Sequence, residues 1–214
     1  MNGDTGLIVL NTTKMGEKSL VIHCLSPEYG RRSFLASAGK NIMALCQPLS
    51  IIDAEVVENR KSDLWRIRNP KARYALLGIR TNLYKNAMTM FMSEVLYRAV
   101  KDGDSESGLF EWCEKSILTL DSLENDFSNF HLRFVLELAM AMGFEARVDD
   151  LAPFAGEYYG EIRSLVEGDF CKAMMLPLTG KARNGICEAL VKYLSYHTET
   201  NINVRSLKVL GELF

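Results

Sequence analysis

Through the first seventy or so residues apolar side chains recur at every second position in short runs, and beyond Asn69-Pro70 the period lengthens to the 3.6 of helices. A period of two sends successive side chains to opposite faces of a pleated strand, whereas 3.6 gathers them into one stripe of a helix. A chain with such a switch is α+β: a strand-rich module followed by a helical body, here over residues 1–70 and 71–214.

The strand signals are individually short. Gly6-Leu-Ile-Val-Leu-Asn-Thr-Thr ends at the polar Lys14-Met-Gly-Glu-Lys, where glycine permits a tight connection. Ser19-Leu-Val-Ile-His-Cys-Leu follows, and Ser26-Pro-Glu-Tyr-Gly is a turn that returns the chain into Arg31-Arg-Ser-Phe-Leu-Ala as an antiparallel hairpin. A short connection around Gly39-Lys-Asn leads to a fourth strand, Leu49-Ser-Ile-Ile-Asp-Ala-Glu-Val-Val-Glu. The fifth is Leu64-Trp-Arg-Ile-Arg, with Trp65 and Ile67 on one face and Arg66 and Arg68 on the other. Five such strands closing on themselves suit a small barrel of the OB type.

Helical periodicity begins in residues 82–100, with Leu83, Ala87, Met90, Phe91 and Val95 as the apolar stripe, widened by Met88 and Met92. Leu109, Phe110, Cys113, Ile117, Leu120 and Leu123 mark a second helix. Residues 128–143 are apolar almost all round and open on the capping-type pair Ser128-Asn129, which predicts a helix at the centre of the bundle that stops at Gly143. Residues 144–177 give a weak signal and are expected to be irregular. A further helix is predicted over residues 181–197 and a last one over residues 204–213.

Charge is unevenly shared. Residues 1–80 hold 12 Lys and Arg against 7 Asp and Glu, a balance of +5, while residues 85–214 hold 13 against 20, a balance of −7; together they give the net −2. A basic strand-rich head on an acidic helical body points to a polyanion-binding surface. The start of the chain lacks a cationic stretch followed by an apolar one, and no apolar run approaches the roughly 20 residues of a membrane-spanning helix, so a cytoplasmic protein without membrane contact is expected. Cys24, Cys46, Cys113, Cys171 and Cys187 are scattered and odd in number, which predicts reduced thiols, mostly buried, and no zinc ribbon.

No sequence motif carries catalysis. Phosphate-binding glycine loops, nucleophile elbows and paired metal-ligand histidines are missing, and His23, His131 and His197 lie far apart. Arg133 and Glu137, four apart on the central helix, predict an internal ion pair. The expectation is a non-enzyme without cofactor or metal. What stands out is a set of cations in the first module: Lys14, Lys18, Arg31, Arg32, Lys40, Arg60, Lys61, Arg66 and Arg68. Phosphate contact needs only such cations on one surface, and Tyr29, Phe34 and Trp65 would stack bases if they are not core.

Taken together, these segments resemble the bacterial RecO recombination mediators. Gly6-Leu-Ile-Val-Leu, Gly16-Glu-Lys-Ser-Leu-Val-Ile, Tyr29-Gly-Arg and Gln47-Pro-Leu are similar to the family's N-terminal signature. Met92-Ser-Glu-Val-Leu-Tyr-Arg, Asn129-Phe-His-Leu-Arg-Phe and Met142-Gly-Phe are similar to its helical core, and Leu178-Thr-Gly-Lys-Ala-Arg and Arg205-Ser-Leu-Lys-Val-Leu-Gly-Glu-Leu-Phe to its closing segments. The resemblance implies an N-terminal OB fold and a helical C-terminal domain that bind single- and double-stranded DNA, anneal strands and load RecA on DNA coated by single-strand-binding protein. It also implies RecR and the acidic tail of the single-strand-binding protein as partners, with Lys181 and Arg183 as candidates to meet that tail. Two features depart from the family. Residues 147–175 hold only Cys171 where many members carry a four-cysteine zinc module, and residues 37–46 form a short connection with only Lys40 where relatives have a longer basic loop. Two other readings stay open: an OB-type scaffold that binds proteins alone, and a small-molecule enzyme whose interdomain pocket gathers His131, Arg133 and Glu137.

Overall fold

The computed structural model describes residues 2–59, 61–103 and 107–213, with the side chains of residues 2, 3, 40 and 41 outside that description. It divides into two compact units, residues 1–77 with 100–118, and residues 78–99 with 119–214.

The first unit is built on five strands: β1 (Asn2–Met15), β2 (Ser19–Ser26), β3 (Gly30–Ser37), β4 (Ile51–Val57) and β5 (Trp65–Ala72). They close as a barrel in the order β1-β2-β3-β5-β4. The long first strand serves two neighbours: its first half pairs antiparallel with β4, from Asn2 opposite Val57 to Ile8 opposite Ile51, and its second half with β2. An irregularity between Val9 and Asn11 bends it from one partner to the other. A short parallel pairing, Phe34 with Trp65 and Leu35 with Arg66, seals the barrel.

Alternation decides what fills it. Leu20, Ile22 and Cys24 of β2, Phe34 and Ala36 of β3, Ile52, Ala54 and Val56 of β4 and Ile67 of β5 form one buried cluster with Leu7 and Val9. Each large apolar side chain withdrawn from water contributes roughly 1.5–3 kcal/mol, so this cluster is what holds a small barrel together. One outward row is buried as well, Leu25–Ile8–Ile51 across β2, β1 and β4.

Two details differ from the sequence reading. The fifth strand does not end at Asn69-Pro70: Glu55 faces Arg68 and Asp53 faces Lys71, two positions on β4 against three on β5, so the chain bulges there and pairing resumes. Asn69 takes a left-handed φ of 48°, and Pro70, which has no N–H to give, sits where the ladder needs none. The connection after β3 also holds a helix, α1 (Lys40–Leu45), whose Ile42 plugs the barrel core with Leu45 and Cys46 beside it.

The helices that follow are α2 (Leu77–Arg80), α3 (Leu83–Ala99), α4 (Leu109–Ser122), α5 (Phe130–Ala141), α6 (Val148–Ala155), α7 (Tyr159–Glu167), α8 (Phe170–Met175), α9 (Gly180–His197) and α10 (Ser206–Leu213). Within the second unit α5 is central, packed against α3, α8 and α9. The face that α3 buries runs through Met88, Phe91, Met92, Val95 and Ala99. At 100° per residue Leu83 and Met90 fall on the far side of that face, and they are 68% and 44% exposed, against expectation. Residues 144–177, expected to be irregular, are three short helices and a 3-10 turn that bury Leu151, Ala155, Ile162, Leu165 and Ala173. At the end of the chain the Glu94 carboxylate accepts from the Arg205 and Ser206 backbone N–H groups and the Ser206 hydroxyl, capping α10 from α3.

Candidate nucleic-acid interface

Strand alternation sorts the cations of the barrel. Arg66 and Arg68, two apart on β5, both point outward and are exposed, while Ile67 between them enters the core. Leu35 flanks Arg66 on β3, Val21 flanks Leu35 on β2, and Thr13 flanks Val21 on β1, so the outer surface of β1-β2-β3-β5 is one continuous row. The hairpin joining β1 and β2 carries Lys14 and Lys18, both exposed, at the end where Ser19 meets Ser37; Arg68 lies two residues beyond the Leu35–Arg66 pair toward that end. Lys14 pairs with Leu20 of the core and so projects from the mouth of the barrel rather than from that row; the register puts Arg66 and Arg68 on the outer face and sets Lys14 and Lys18 at the end toward which they run.

Arg31 and Arg32 are neighbours on β3 and cannot share that face. Arg31 is only 13% exposed: its Nη1 donates to the Val100 carbonyl at 2.6 Å, its Nε lies 3.3 Å from Asp102 Oδ1, and its carbonyl accepts from the Gly103 N–H at 2.9 Å. It holds residues 100–103 in place within the first unit. Arg32 lies flat on Trp65, its guanidinium carbon 4.0 Å from the ring centroid, and Tyr29 meets the same ring edge-on at 5.1 Å. Of the aromatics named for stacking, Phe34 is fully buried in the core, whereas Tyr29 and Trp65 are half-buried at its margin. Lys61 is exposed in the β4–β5 connection. Arg60 and the Lys40 side chain lie outside the described residues.

Beyond Arg68, around β4 and the first half of β1, the barrel surface turns acidic. Asp4, Glu28, Asp53, Glu55, Glu111 and Glu114 line a groove of about 1200 Å³, and pattern reading from sequence did not find it because these residues come from separate segments. Arg73 threads the groove: its Nε donates to Asp53 Oδ1 at 2.9 Å and its Nη1 to Glu114 Oε1 at 2.8 Å, and these bonds raise its pKa. Gly6 makes room for it, since a Cβ there would collide with the guanidinium. Glu55 also stands opposite Arg68 on the outer face, an acidic neighbour that Arg66, opposite Val57, does not have.

In the second unit the polar groups are used internally. Asn129 stands at the N-cap of α5, but its side chain makes no capping bond. It is buried, its Nδ2 donates to backbone carbonyls of Ala173 and Leu176 at 3.1 and 2.8 Å, and its Oδ1 accepts from Arg183 Nε at 3.0 Å. Arg183 is buried too and donates from Nη2 to the Leu178 carbonyl, whereas Lys181 is 85% exposed and 3.9 Å from Glu157. Arg133 pairs with Glu137 at 2.6 Å, as its spacing predicts, and reaches the carbonyls of Leu165 and Gly168. His131 is fully buried beside Phe91, and burial first, then the Arg183 charge, pushes its pKa down to about 3. Such a group stays neutral at any working pH. Arg133 and Glu137 are bound to each other, so the three residues gathered in the enzyme reading do not form an acid–base set.

Among the described residues no group of three or more His, Cys, Asp or Glu could hold a metal ion, and no helix is long and apolar enough to cross a membrane. Cys24, Cys113 and Cys187 are buried, Cys46 is half-buried and Cys171 exposed.

This pairing of a closed five-stranded barrel with a helical bundle is matched by two family models. The one described as Recombination protein O N terminal covers residues 1–74, and the one described as Recombination protein O C terminal covers residues 80–153. The chain belongs to the RecO family. It is 28% identical to the DNA repair protein RecO of Phocaeicola vulgatus over 97% of both chains. It is 32% identical to that of Bacteroides fragilis over 71% of this chain and 64% of the relative. With the DNA repair protein RecO of Flavobacterium psychrophilum it shares 25% identity over 98% of both. The five-stranded barrel of this RecO family member is its OB fold, and the helices form its C-terminal domain. Where many members are expected to hold zinc, residues 147–175 are packed as helices and anchored through Asn129 and Arg133.

Proposed function

We propose that the chain acts in DNA repair as a recombination mediator that binds DNA and performs no covalent chemistry. The observation that carries the reading is the register: it puts Arg66 and Arg68 outward on β5 and sets Lys14 and Lys18 at the end of the barrel toward which they run, with the acidic groove beginning beyond Arg68. Cations fixed on a rigid surface neutralise phosphates irrespective of sequence, and an acidic groove bordering them repels the same polyanion, so the field orients the nucleic acid. Half-buried Val21 and Leu35 beside Arg66 offer apolar contact to unpaired bases.

Strand annealing follows from holding two neutralised strands close together. Loading of RecA on single strands coated by single-strand-binding protein, with RecR as a second partner, is the role that family membership supports. For the acidic tail of the single-strand-binding protein, Lys181 is the accessible half of the pair first considered, because Arg183 is occupied inside the bundle. The test is fluorescence anisotropy of labelled single- and double-stranded DNA across a range of salt. Affinity should fall steeply as salt rises, and absence of binding at low salt would overturn the reading.

A further inference from the structure

At the start of β3 and β5, the end away from the β1–β2 hairpin, the first unit holds a separate cavity of about 410 Å³ lined by Arg31, Arg32, Ser33, Asp63, Asp102 and their backbone neighbours. That volume is within the range of small-molecule sites, about 300–1,000 Å³, and large enough for one nucleobase with its sugar. Its chemistry is unlike that of a phosphate site. Arg31 is committed to Val100 and Asp102, and two carboxylates on the lining repel an anion. What remains for a ligand is the plane of Arg32. One of its faces rests on Trp65, and among the described residues its buried Nε has no hydrogen-bond partner. His23 and Ser33 share a hydrogen bond of 2.8 Å nearby, and burial, with the Arg31 charge, lowers the His23 pKa, so the imidazole adds no competing positive charge.

A flat cationic plane backed by an indole is a platform for an aromatic ring, since guanidinium planes stack on nucleobases as well as on tryptophan. The carboxylates accept hydrogen bonds and, when ionised, donate none, so they select bases that offer N–H groups. Guanine offers two adjacent ones, N1–H and the N2 amino group, which match the two oxygens of a carboxylate; thymine offers a single N–H between two carbonyls that the carboxylates would repel.

We propose that this cavity receives one unstacked guanine of single-stranded DNA, stacked on Arg32 in a base–Arg32–Trp65 sandwich, with Asp63 accepting from its Watson–Crick edge. The proposal rests on the reading that the barrel binds DNA, and adds a base preference to a surface otherwise blind to sequence.

The experiment compares the full chain binding a labelled oligothymidylate with its binding the same oligonucleotide carrying one central guanine, at fixed salt. The guanine oligonucleotide should bind about five- to tenfold tighter, the scale of one good base contact. Asp63→Asn, a change at an exposed position, should abolish the preference, and Arg32→Lys, which keeps the charge but not the plane, should do the same, each read as the ratio of the two affinities within the variant. Guanosine monophosphate should quench Trp65 fluorescence in a Trp112→Phe background. Equal binding of the two oligonucleotides by the parent chain overturns the guanine site and leaves DNA binding standing. Failure to bind either one at low salt overturns both. A preference that survives Asp63→Asn and Arg32→Lys alike places the selectivity elsewhere and overturns the site.

Discussion

Arg66 and Arg68 on β5 stand exposed on a strand face, whereas Arg133 on α5 and Arg183 on α9 are folded into the bundle and donate to backbone carbonyls. The residue type is the same and the role opposite. A strand ending at a barrel rim leaves its outward side chains nothing to meet but solvent or a ligand. A central helix surrounded by short helices is met on every side by carbonyls of their ends, and a guanidinium satisfies several of these at once. The barrel's cations are therefore available for binding, and those of the bundle hold structure together.

The sharpest way to break that contrast is in the bundle. Asn129→Leu should remove the bonds to Ala173 and Leu176 and take one acceptor from the buried Arg183, at a cost of about 3 kcal/mol in chemical denaturation. If that variant were as stable as the parent, the internal role of these groups would be wrong. Acid should act next. The folded pKa of His131, about 3, lies below the unfolded 6.5, so the unfolded chain binds more protons between those values and stability falls as pH falls through that window. The loss from this residue should reach about 2 kcal/mol by pH 5, and denaturation midpoints for His131→Gln should show a shallower pH slope.

In the barrel, Arg31→Met should behave like a bundle residue. We expect about 1–2 kcal/mol of destabilisation, from the lost Val100 and Asp102 bonds, with an unchanged salt slope for DNA. Lys181→Ala is the smallest change, within about 0.5 kcal/mol in stability, and is read out by affinity for an acidic peptide.

How far the sequence was legible follows the same division. The strands could be read because alternation is a local property, and it also placed Ile67 inward and Arg66 and Arg68 outward. It could not show that Arg31 would be met by residues 100–103, since that contact joins segments nearly seventy positions apart. The bulge at Asn69-Pro70 looked like a strand end because both residues usually break strands, and only the partner strand reveals that pairing resumes. Residues 144–177 hid their helices because Pro153, Gly156, Gly160 and Gly168 interrupt the period, and helices of six to nine residues draw their stability from tertiary packing rather than propensity. Asn129 carried the signature of a cap, and tertiary partners claimed its side chain instead. The cationic end needed both levels: residue type from the sequence, and register from the fold.

The central claim is that exposed β5 arginines, unlike buried ones, contact phosphate. The direct measurement is the slope of log affinity against log salt for single-stranded DNA, taken on the parent chain and on Arg66→Ala/Arg68→Ala. Each lost phosphate contact lowers the slope by about 0.7 on single strands, so the double variant should lose up to roughly 1.4, more of it through Arg66 than through Arg68, with its unfolding free energy unchanged. An identical slope in the two proteins would contradict the account.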